Sequence, residues 1–397
     1  MNEVVLVAGV RTAIGKIGGA LKNVAVEQLA SAVMTECVKR ASLEAHVIDE
    51  VIFGHAKQSS DTPNLARVAS LYAELPIEIP AYTVHRQCGS GLQAIISGAQ
   101  SIRLGDAGVI LAGGAESMST AQYYLRGARF GYGAGNAEIL DPNTESQPKS
   151  QPAEKYGRLT MGMTAENLAD KYAISRTEQD EFAFGSQNKA LKAIAAGRFV
   201  EEILPLDVKV GKTTQQFVVD EFPRQTTPAD LAKLKAVFKK EGSVTAGNSS
   251  GRNDGAAAVM LMERSRAEKM GLKPLARIVA YASAGVPPEI MGIGPVPAVG
   301  KALQAAGLTL GELELIELNE AFAAQSLAVI KELGIDPSII NVNGGAIALG
   351  HPIGATGARI VVTLMHELQK RSARYGLATL CIAGGQGTAL ILENLNR

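Results

Sequence analysis

Tryptophan is absent from the 397 residues, and cysteine and histidine are scarce, at three and five. Three scattered cysteines do not frame a disulfide-held fold and fit a reducing compartment. Net charge is missing too: 39 Lys and Arg balance 39 Asp and Glu. That balance argues against a nucleic-acid binder, which needs a broad basic field, and leaves room only for a local basic patch. No apolar run approaches the roughly 18 residues of a spanning helix, so no membrane association is expected. The opening, Met1-Asn2-Glu3 and then the apolar run Val4–Val10, has an early acid, no basic segment and no small-residue cleavage site. It reads as a first strand rather than a signal peptide, and the expected location is cytoplasmic. No CxxC, HxxxH or HExxH spacing occurs, so no metal site is indicated.

Hydrophobic residues make up 46% of the chain and charged residues 20%, a balance that argues against disorder. The length allows two to three domains with cores of their own. Glycine, at 42 residues, is enriched, which implies many positive-φ or close-approach positions. Candidate strands are Val4–Ala8, Val51–Gly54, Ala81–Val84, Gly108–Gly113 and Ala256–Met262, then Ala276–Ala284, Leu313–Leu318, Ile339–Asn341, Ala378–Ile382 and Thr388–Leu392. Helical periods lie between them; Leu29, Val33 and Cys37 fall on one face. This alternation predicts an α/β fold with a mostly parallel sheet covered on both sides.

The two halves resemble each other. Val109–Ser117 (VILAGGAES) parallels Leu380–Thr388 (LCIAGGQGT), and Val47–Ala56 (VIDEVIFGHA) parallels Leu313–Phe322 (LELIELNEAF). Each half also has a glycine-rich turn opening a helix, at Cys88–Gly91 and at Gly350–Gly354. Two copies of one unit are expected. Between Ser119 and Gly242 the composition shifts toward Tyr, Arg, Gln, Pro and Lys. Helices are expected there over Met163–Ile174 and Arg176–Ala196, the second opened by a capping-box pattern at Ser175 and Glu178. The expected division is a core of residues 1–118 plus 243–270, an inserted loop domain 119–242, and a second core 271–397.

Cys88 stands where a strand ends and a helix begins. Unsatisfied N–H groups and the helix dipole there favour a thiolate, Arg86 offers further positive charge, and the flanking glycines let backbone approach a substrate. Cys37 lies on an apolar helix face and receives no role. Asn319 closes another strand, His351 lies in the Gly350–Gly357 turn, and Cys381 ends a third strand. Ligands bind at such strand ends in open α/β sheets. Two thiols, an imidazole and a carboxamide at four of them suggest a nucleophile, a base, an orienting group and a proton donor. His46, His55 and His366 lack partner motifs and read as surface or satisfied polar residues. The Gly350–Gly357 turn lacks P-loop and dinucleotide spacings, which argues against nucleotide hydrolysis.

These motifs resemble the thiolases, of the acetyl-CoA acetyltransferase type. The resemblance runs from Val4 through Arg11-Thr12 to Leu390. It is carried by Gln87-Cys88-Gly89-Ser90-Gly91, Gly162–Asn167, Val244–Asn248, Asn319-Glu320-Ala321-Phe322, Gly350-His351-Pro352 and Cys381–Gly387. Ketoacyl synthases carry the nucleophilic cysteine without a paired second one, so Cys88 with Cys381 favours a thiolase. The resemblance implies a thiolase fold, two duplicated βαβαβαββ units in a layered α/β sandwich with an inserted loop domain. It further implies Cys88 as the acylated nucleophile, His351 as its base and Cys381 as the acid and base at the α-carbon. Asn319 and His351, through a water, would form one oxyanion hole, and the N–H groups of Cys88 and Ala383 the other.

The implied partners are acetyl-CoA, acetoacetyl-CoA and CoA, with CoA a substrate and no cofactor. Ala246, Gly247 and Ser250 would run along the pantetheine, Met161 and Phe322 would border the substrate, and Arg224 would lie near the nucleotide. The reaction implied is acetyl-CoA C-acetyl transfer. A degradative 3-ketoacyl-CoA thiolase and a non-catalytic CoA-binding scaffold are the alternatives. The Tyr123–Gly133 stretch resembles the loop that joins dimers into tetramers, so a homotetramer is expected and otherwise a homodimer. Five positions depart from the family pattern. His85 stands where Asn is common, Ala383 replaces a glycine and would be strained at positive φ, Ser249 replaces Ala, Arg252 replaces an apolar residue, and Thr160 precedes Met161 where His or Pro is usual.

Overall fold

The computed structural model describes residues 2–397, with every side chain except that of Val210. The first half runs β1 (Val4–Thr12), α1 (Val26–Ala41), β2 (Glu50–Gly54), α2 (Leu65–Tyr72), β3 (Ala81–Val84), α3 (Ser90–Leu104) and β4 (Val109–Ser117), and after a long insertion β5 (Asn253–Glu263). The insertion holds α4 (Met161–Lys171) and α5 (Arg176–Ala195). The second half runs β6 (Ala276–Gly285), α6 (Pro295–Ala306), β7 (Leu315–Leu318), α7 (Ala323–Leu333), α8 (Ile353–Arg371), β8 (Tyr375–Ile382) and β9 (Gln386–Asn394).

The strand orders repeat: β3-β2-β4-β5-β1 in the first half and β7-β8-β9-β6 in the second. A short antiparallel pairing, Val5 with Arg277 and Leu6 with Ala276, joins the two. The sheet is mixed rather than mostly parallel. β2 runs parallel to β3 and β4, and β7 to β8, but β5 and β9 run antiparallel to both their neighbours. In the second unit the reason lies in the final connection. β8 turns back into β9 through Ala383-Gly384-Gly385 alone, and a turn that short can only make an antiparallel pair. The expected strand Ile339–Asn341 is also corrected. Pro337–Ile339 forms a 3-10 turn, Asn341 adopts φ 44°, and only Ile340 bridges to Ile316. The third strand of the second unit is thus reduced to one bridge, at the position β3 fills in the first.

Three apolar cores define the layers. One packs α1 and α2 on the outer face of the first sheet, through Leu29, Val33, Met34 and Leu65 against Val51, Leu111 and Met260. Another packs α6 and α7 outside the second sheet, through Val299, Ala302 and Val329 against Leu318 and Ile391. The central core holds α3 and α8 between the sheets, with Ile95, Ile102, Val361 and Leu364 meeting Ile110, Leu261, Ile278 and Leu392. The result is a five-layer α/β/α/β/α sandwich.

The motif glycines serve this central layer. A Cβ on Gly91 would lie 2.9 Å from Ala358 N, and one on Gly357 only 2.2 Å from Leu92 N. For Gly91 and Gly357 the structure gives a packing reason. Without side chains, α3 and α8 approach to backbone contact, which brings their N-termini together.

The insertion is tied down by charge. Arg11, wholly buried on β1, binds Asp220 with two nitrogens at 2.7 and 2.9 Å and Glu202 at 2.6 Å. The Ser175–Glu178 capping box forms as expected. Thr160 is the N-cap of α4, accepting from Met163 N–H at 3.3 Å, a local reason for a hydroxyl at that departure from the family pattern.

Candidate active site

Cys88 sits on a pinned turn between β3 and α3. Ser90 Oγ accepts the Arg86 N–H at 2.9 Å and donates to the Gln87 carbonyl at 2.6 Å. Gln87 is held at φ 46°, a left-handed conformation uncommon outside glycine. His85 is exposed, and its Nδ1 accepts the Gln87 N–H at 3.5 Å, so it braces the turn rather than facing the cavity. Arg86 turns away toward Gln93 and Ser283, at 2.6 and 2.9 Å. The cation whose field reaches Cys88 is Lys57.

Cys88, His351, Cys381 and Ala383 line one cavity that opens to solvent, together with Met161 and Phe322. Burial pushes the Cys88 thiol up to about 11, opposed by the N–H groups of Ala383 and Cys88 and by the Lys57 charge. The dipole argument expected a thiolate; desolvation outweighs it, and the resting group is a thiol. Cys381 is wholly buried at the end of β8, and burial raises its thiol far above the ordinary range; ionisation of Cys88 would raise it further. Ala383 is absent from the positive-φ residues, and the left-handed turn positions are Gly384 and Gly385, both at 86°. Alanine is accommodated there without strain.

His351 follows Gly350, whose φ of 104° and contact with the Asn253 amide leave no room for a Cβ. The His351 N–H donates to Asn253 Oδ1 at 2.9 Å. Its Nδ1 lies 2.6 Å from Thr356 Oγ1, which itself donates to the Pro352 carbonyl at 2.9 Å. The hydroxyl's single proton is thereby used, so it accepts from Nδ1–H and the imidazole keeps a free lone pair on Nε2. Nε2 is buried without a protein partner. Burial, with Arg359 adding repulsion and Glu116 opposing, lowers this imidazole to about 4. A neutral thiol beside a neutral imidazole with an unengaged nitrogen is a general-base pair ready for use.

Asn319 follows β7, is fully buried and does not line the cavity; both amide atoms lack protein partners. A carboxamide in that state suits the holding of a water. Ser250 lines the cavity, its N–H donating to the Ala321 carbonyl at 3.0 Å, and Ser249 lines it beside. Three expected substrate contacts stand outside the lining. Arg224 stacks on Phe222 at 5.3 Å, Ala246 is exposed, and Gly247 packs beneath Leu231 and Leu234.

A buried electrostatic cluster beside the cavity went unread in the sequence. Glu116, ending β4, is fully buried. It pairs with His55 at 2.9 Å and accepts the N–H groups of Ala56, Lys57 and Gly354 at 3.1, 3.1 and 2.9 Å. Burial opposes the His55 charge, but Glu116 outweighs it and raises the imidazole above its ordinary value. The signal was present: His55, Lys57 and Glu116 lie at or just beyond the carboxyl ends of parallel strands.

Comparison with known proteins agrees over the whole chain. The family model for the thiolase N-terminal domain matches residues 4–265, and that for the C-terminal domain residues 272–394. An acetyl-CoA acetyltransferase of Pseudomonas aeruginosa is 53% identical over 394 residues, covering 99% of each chain. The crystal structure of a Bacillus anthracis acetyl-CoA acetyltransferase superposes with a TM-score of 0.97 at 49% identity, over 100% of this chain and 99% of that one. Human mitochondrial 3-ketoacyl-CoA thiolase in complex with CoA superposes at 0.94 with 45% identity, over 99% and 98%. Family models spanning both halves, and relatives about half identical from end to end, place the chain in the thiolase family.

Proposed function

We propose that the chain is an acetyl-CoA C-acetyltransferase, which condenses two acetyl-CoA into acetoacetyl-CoA and CoA and runs the reverse thiolysis. The observation that carries this reading is the single cavity where Cys88 and Cys381 meet an imidazole whose Nε2 is free to take a proton. Cys88 attacks the thioester carbonyl as His351 Nε2 takes its proton; CoA leaves with the proton of Cys381, and acetyl-Cys88 remains beside a Cys381 thiolate. That thiolate removes an α-proton from the second acetyl-CoA. The enolate attacks acetyl-Cys88, and Cys88 leaves as a thiolate that His351 reprotonates. The N–H groups of Cys88 and Ala383 hold one oxyanion, and Asn319 with His351 holds the other through a water. Such donors are typically worth about 3–4 kcal/mol each. Ser250, Met161 and Phe322 border the substrate. Ala246, Gly247 and Arg224 stand further along the path toward CoA's nucleotide.

The degradative alternative has support of its own. Met118, Met161, Phe238 and Met291 give the cavity an apolar wall suited to longer chains, and the human 3-ketoacyl-CoA thiolase shares the fold at TM-score 0.94. CoA-dependent cleavage of acetoacetyl-CoA and of longer 3-ketoacyl-CoA, with Cys88→Ser as control, separates the two. Wild-type turnover unchanged by Cys88→Ser would end the mechanism. The proposed assembly is a homotetramer. The segment around residues 123–139 supports it, because Tyr123, Phe130 and Ile139 are 65, 92 and 70% exposed, a burden that a second copy would relieve. Among the described residues no helix is long and apolar enough to cross a membrane, and a cytoplasmic location is proposed.

A further inference from the structure

The cavity holds a cation with no anion of its own. Lys57 lines it and is only 8% exposed. Its ammonium donates to the Pro142 carbonyl at 3.2 Å and to Ser146 Oγ, which leaves one of its three N–H groups unassigned. No ion pair joins it to an Asp or Glu among the described residues; the nearby Glu116 carboxylate is committed to His55 and to three backbone N–H groups. Burial accordingly pulls the ammonium below the ordinary lysine range. Arg252 brings a second cation to the same lining, with Asp141 3.6 Å from its guanidinium; Glu116 and Asp141 offset the Lys57 charge only in part, from beyond ion-pair distance. An ammonium held this deep without a carboxylate is costly until an anion arrives.

The position of Lys57 says which anion it meets. Its field reaches the Cys88 sulfur, where the thioester reacts. CoA's phosphates lie at the far end of the pantetheine arm and cannot be its partner. The segment around it is mostly polar, with Asn143, Ser146 and Ser150 in the lining beside the single apolar Met118. The apolar residues Met161, Phe238, Met291 and Phe322 gather instead around Cys381. An alkyl tail running toward Lys57 would strip water from an ammonium and give nothing back. A carboxylate there would form charge-assisted hydrogen bonds.

We propose that Lys57 makes the acyl end of this cavity a site for a chain ending in a carboxylate, so that 3-ketoacyl-CoA thioesters with an anionic far end are preferred substrates. This rests on the thiolase reading of the cavity. In thiolysis Cys88 attacks C3, the C2–C3 bond breaks, and acetyl-CoA leaves with the Cys381 proton on C2. The carboxyacyl group stays on Cys88 and passes to the sulfur of incoming CoA. Of the three thiol protons, on Cys88, Cys381 and CoA, one ends on acetyl-CoA and two return to the cysteines.

The test is kcat/KM for CoA-dependent cleavage of two six-carbon 3-ketoacyl-CoA thioesters, one ending in a carboxylate and one in a methyl, with acetoacetyl-CoA alongside. The wild type is expected to prefer the carboxylate about tenfold or more. Lys57→Met is expected to abolish that preference and Lys57→Arg to keep part of it. A wild-type ratio at or below one overturns the proposal even if the variants fail to fold, and so does an unchanged ratio in a folded Lys57→Met protein. Absence of acetoacetyl-CoA cleavage by the wild type is a separate failure, that of the thiolase reading itself.

Discussion

Thr356→Val removes the hydrogen bond that fixes the His351 tautomer, along with the hydroxyl's own bond to the Pro352 carbonyl. Valine keeps the shape of threonine but cannot accept the Nδ1–H of His351, 2.6 Å away. Two consequences follow. A buried N–H loses its partner, which costs about 1–3 kcal/mol. The tautomer is also no longer fixed, so the proton can move to Nε2 and occupy the lone pair that would accept from Cys88. If the barrier to acylation rises by about 1.4–2.8 kcal/mol, kcat falls about 10- to 100-fold. KM should change little, because the hydroxyl lies behind the ring, among Nδ1 and the Pro352 carbonyl. Thr356→Ser restores the oxygen and should recover most of the rate. Steady-state thiolysis of acetoacetyl-CoA, together with the rate of acetyl-enzyme formation, reads both variants. A Thr356→Val enzyme within twofold of wild type would refute the tautomer argument.

Iodoacetamide alkylation of Cys88 should accelerate about tenfold per pH unit from 7 to 9, because a thiol near 11 is protonated throughout and its thiolate fraction grows tenfold with each unit. A plateau below pH 9 would contradict a neutral resting pair. Gly357→Ala sets helix propensity against packing. Propensity favours alanine by about 1 kcal/mol, but the new Cβ would lie 2.2 Å from Leu92 N, so a net loss of about 1–3 kcal/mol in urea unfolding is expected. Stabilisation would show that α3 and α8 can separate freely. Arg11→Met leaves Asp220 and Glu202 buried without their cation and should cost about 3–5 kcal/mol, read by the same unfolding experiment.

Much of this molecule is legible in its sequence because its units repeat. The parallels between Val47–Ala56 and Leu313–Phe322, and between the two glycine turns, fall on β2 and β7 and on the starts of α3 and α8. What misled were features set by tertiary pairing. Ile339–Asn341 has strand-like residues, but Pro337 and the left-handed Asn341 bend the backbone out of line. The sheet became mixed because β5 and β9 return between their neighbours, which local periodicity does not report. At the site, Cys88, His351, Cys381 and Asn319 stand in compact motifs and could be named. Their modulators could not. Glu116 reaches Gly354 across 238 positions, and the Lys57 charge reaches Cys88 only because β2 lies beside β3. Arg86, near in sequence, was the wrong cation because its side chain points toward Ser283. The expected thiolate failed for a similar reason, since burial depends on everything folded around the turn.

The central claim is a covalent acetyl-Cys88 intermediate, and mass spectrometry tests it directly. After brief incubation with acetyl-CoA and acid quenching, the peptide containing Cys88 should carry one acetyl group, lost on addition of CoA and absent in Cys88→Ser. An unmodified Cys88 in turning-over enzyme, or an acetyl group transferred by way of another residue, would contradict the account.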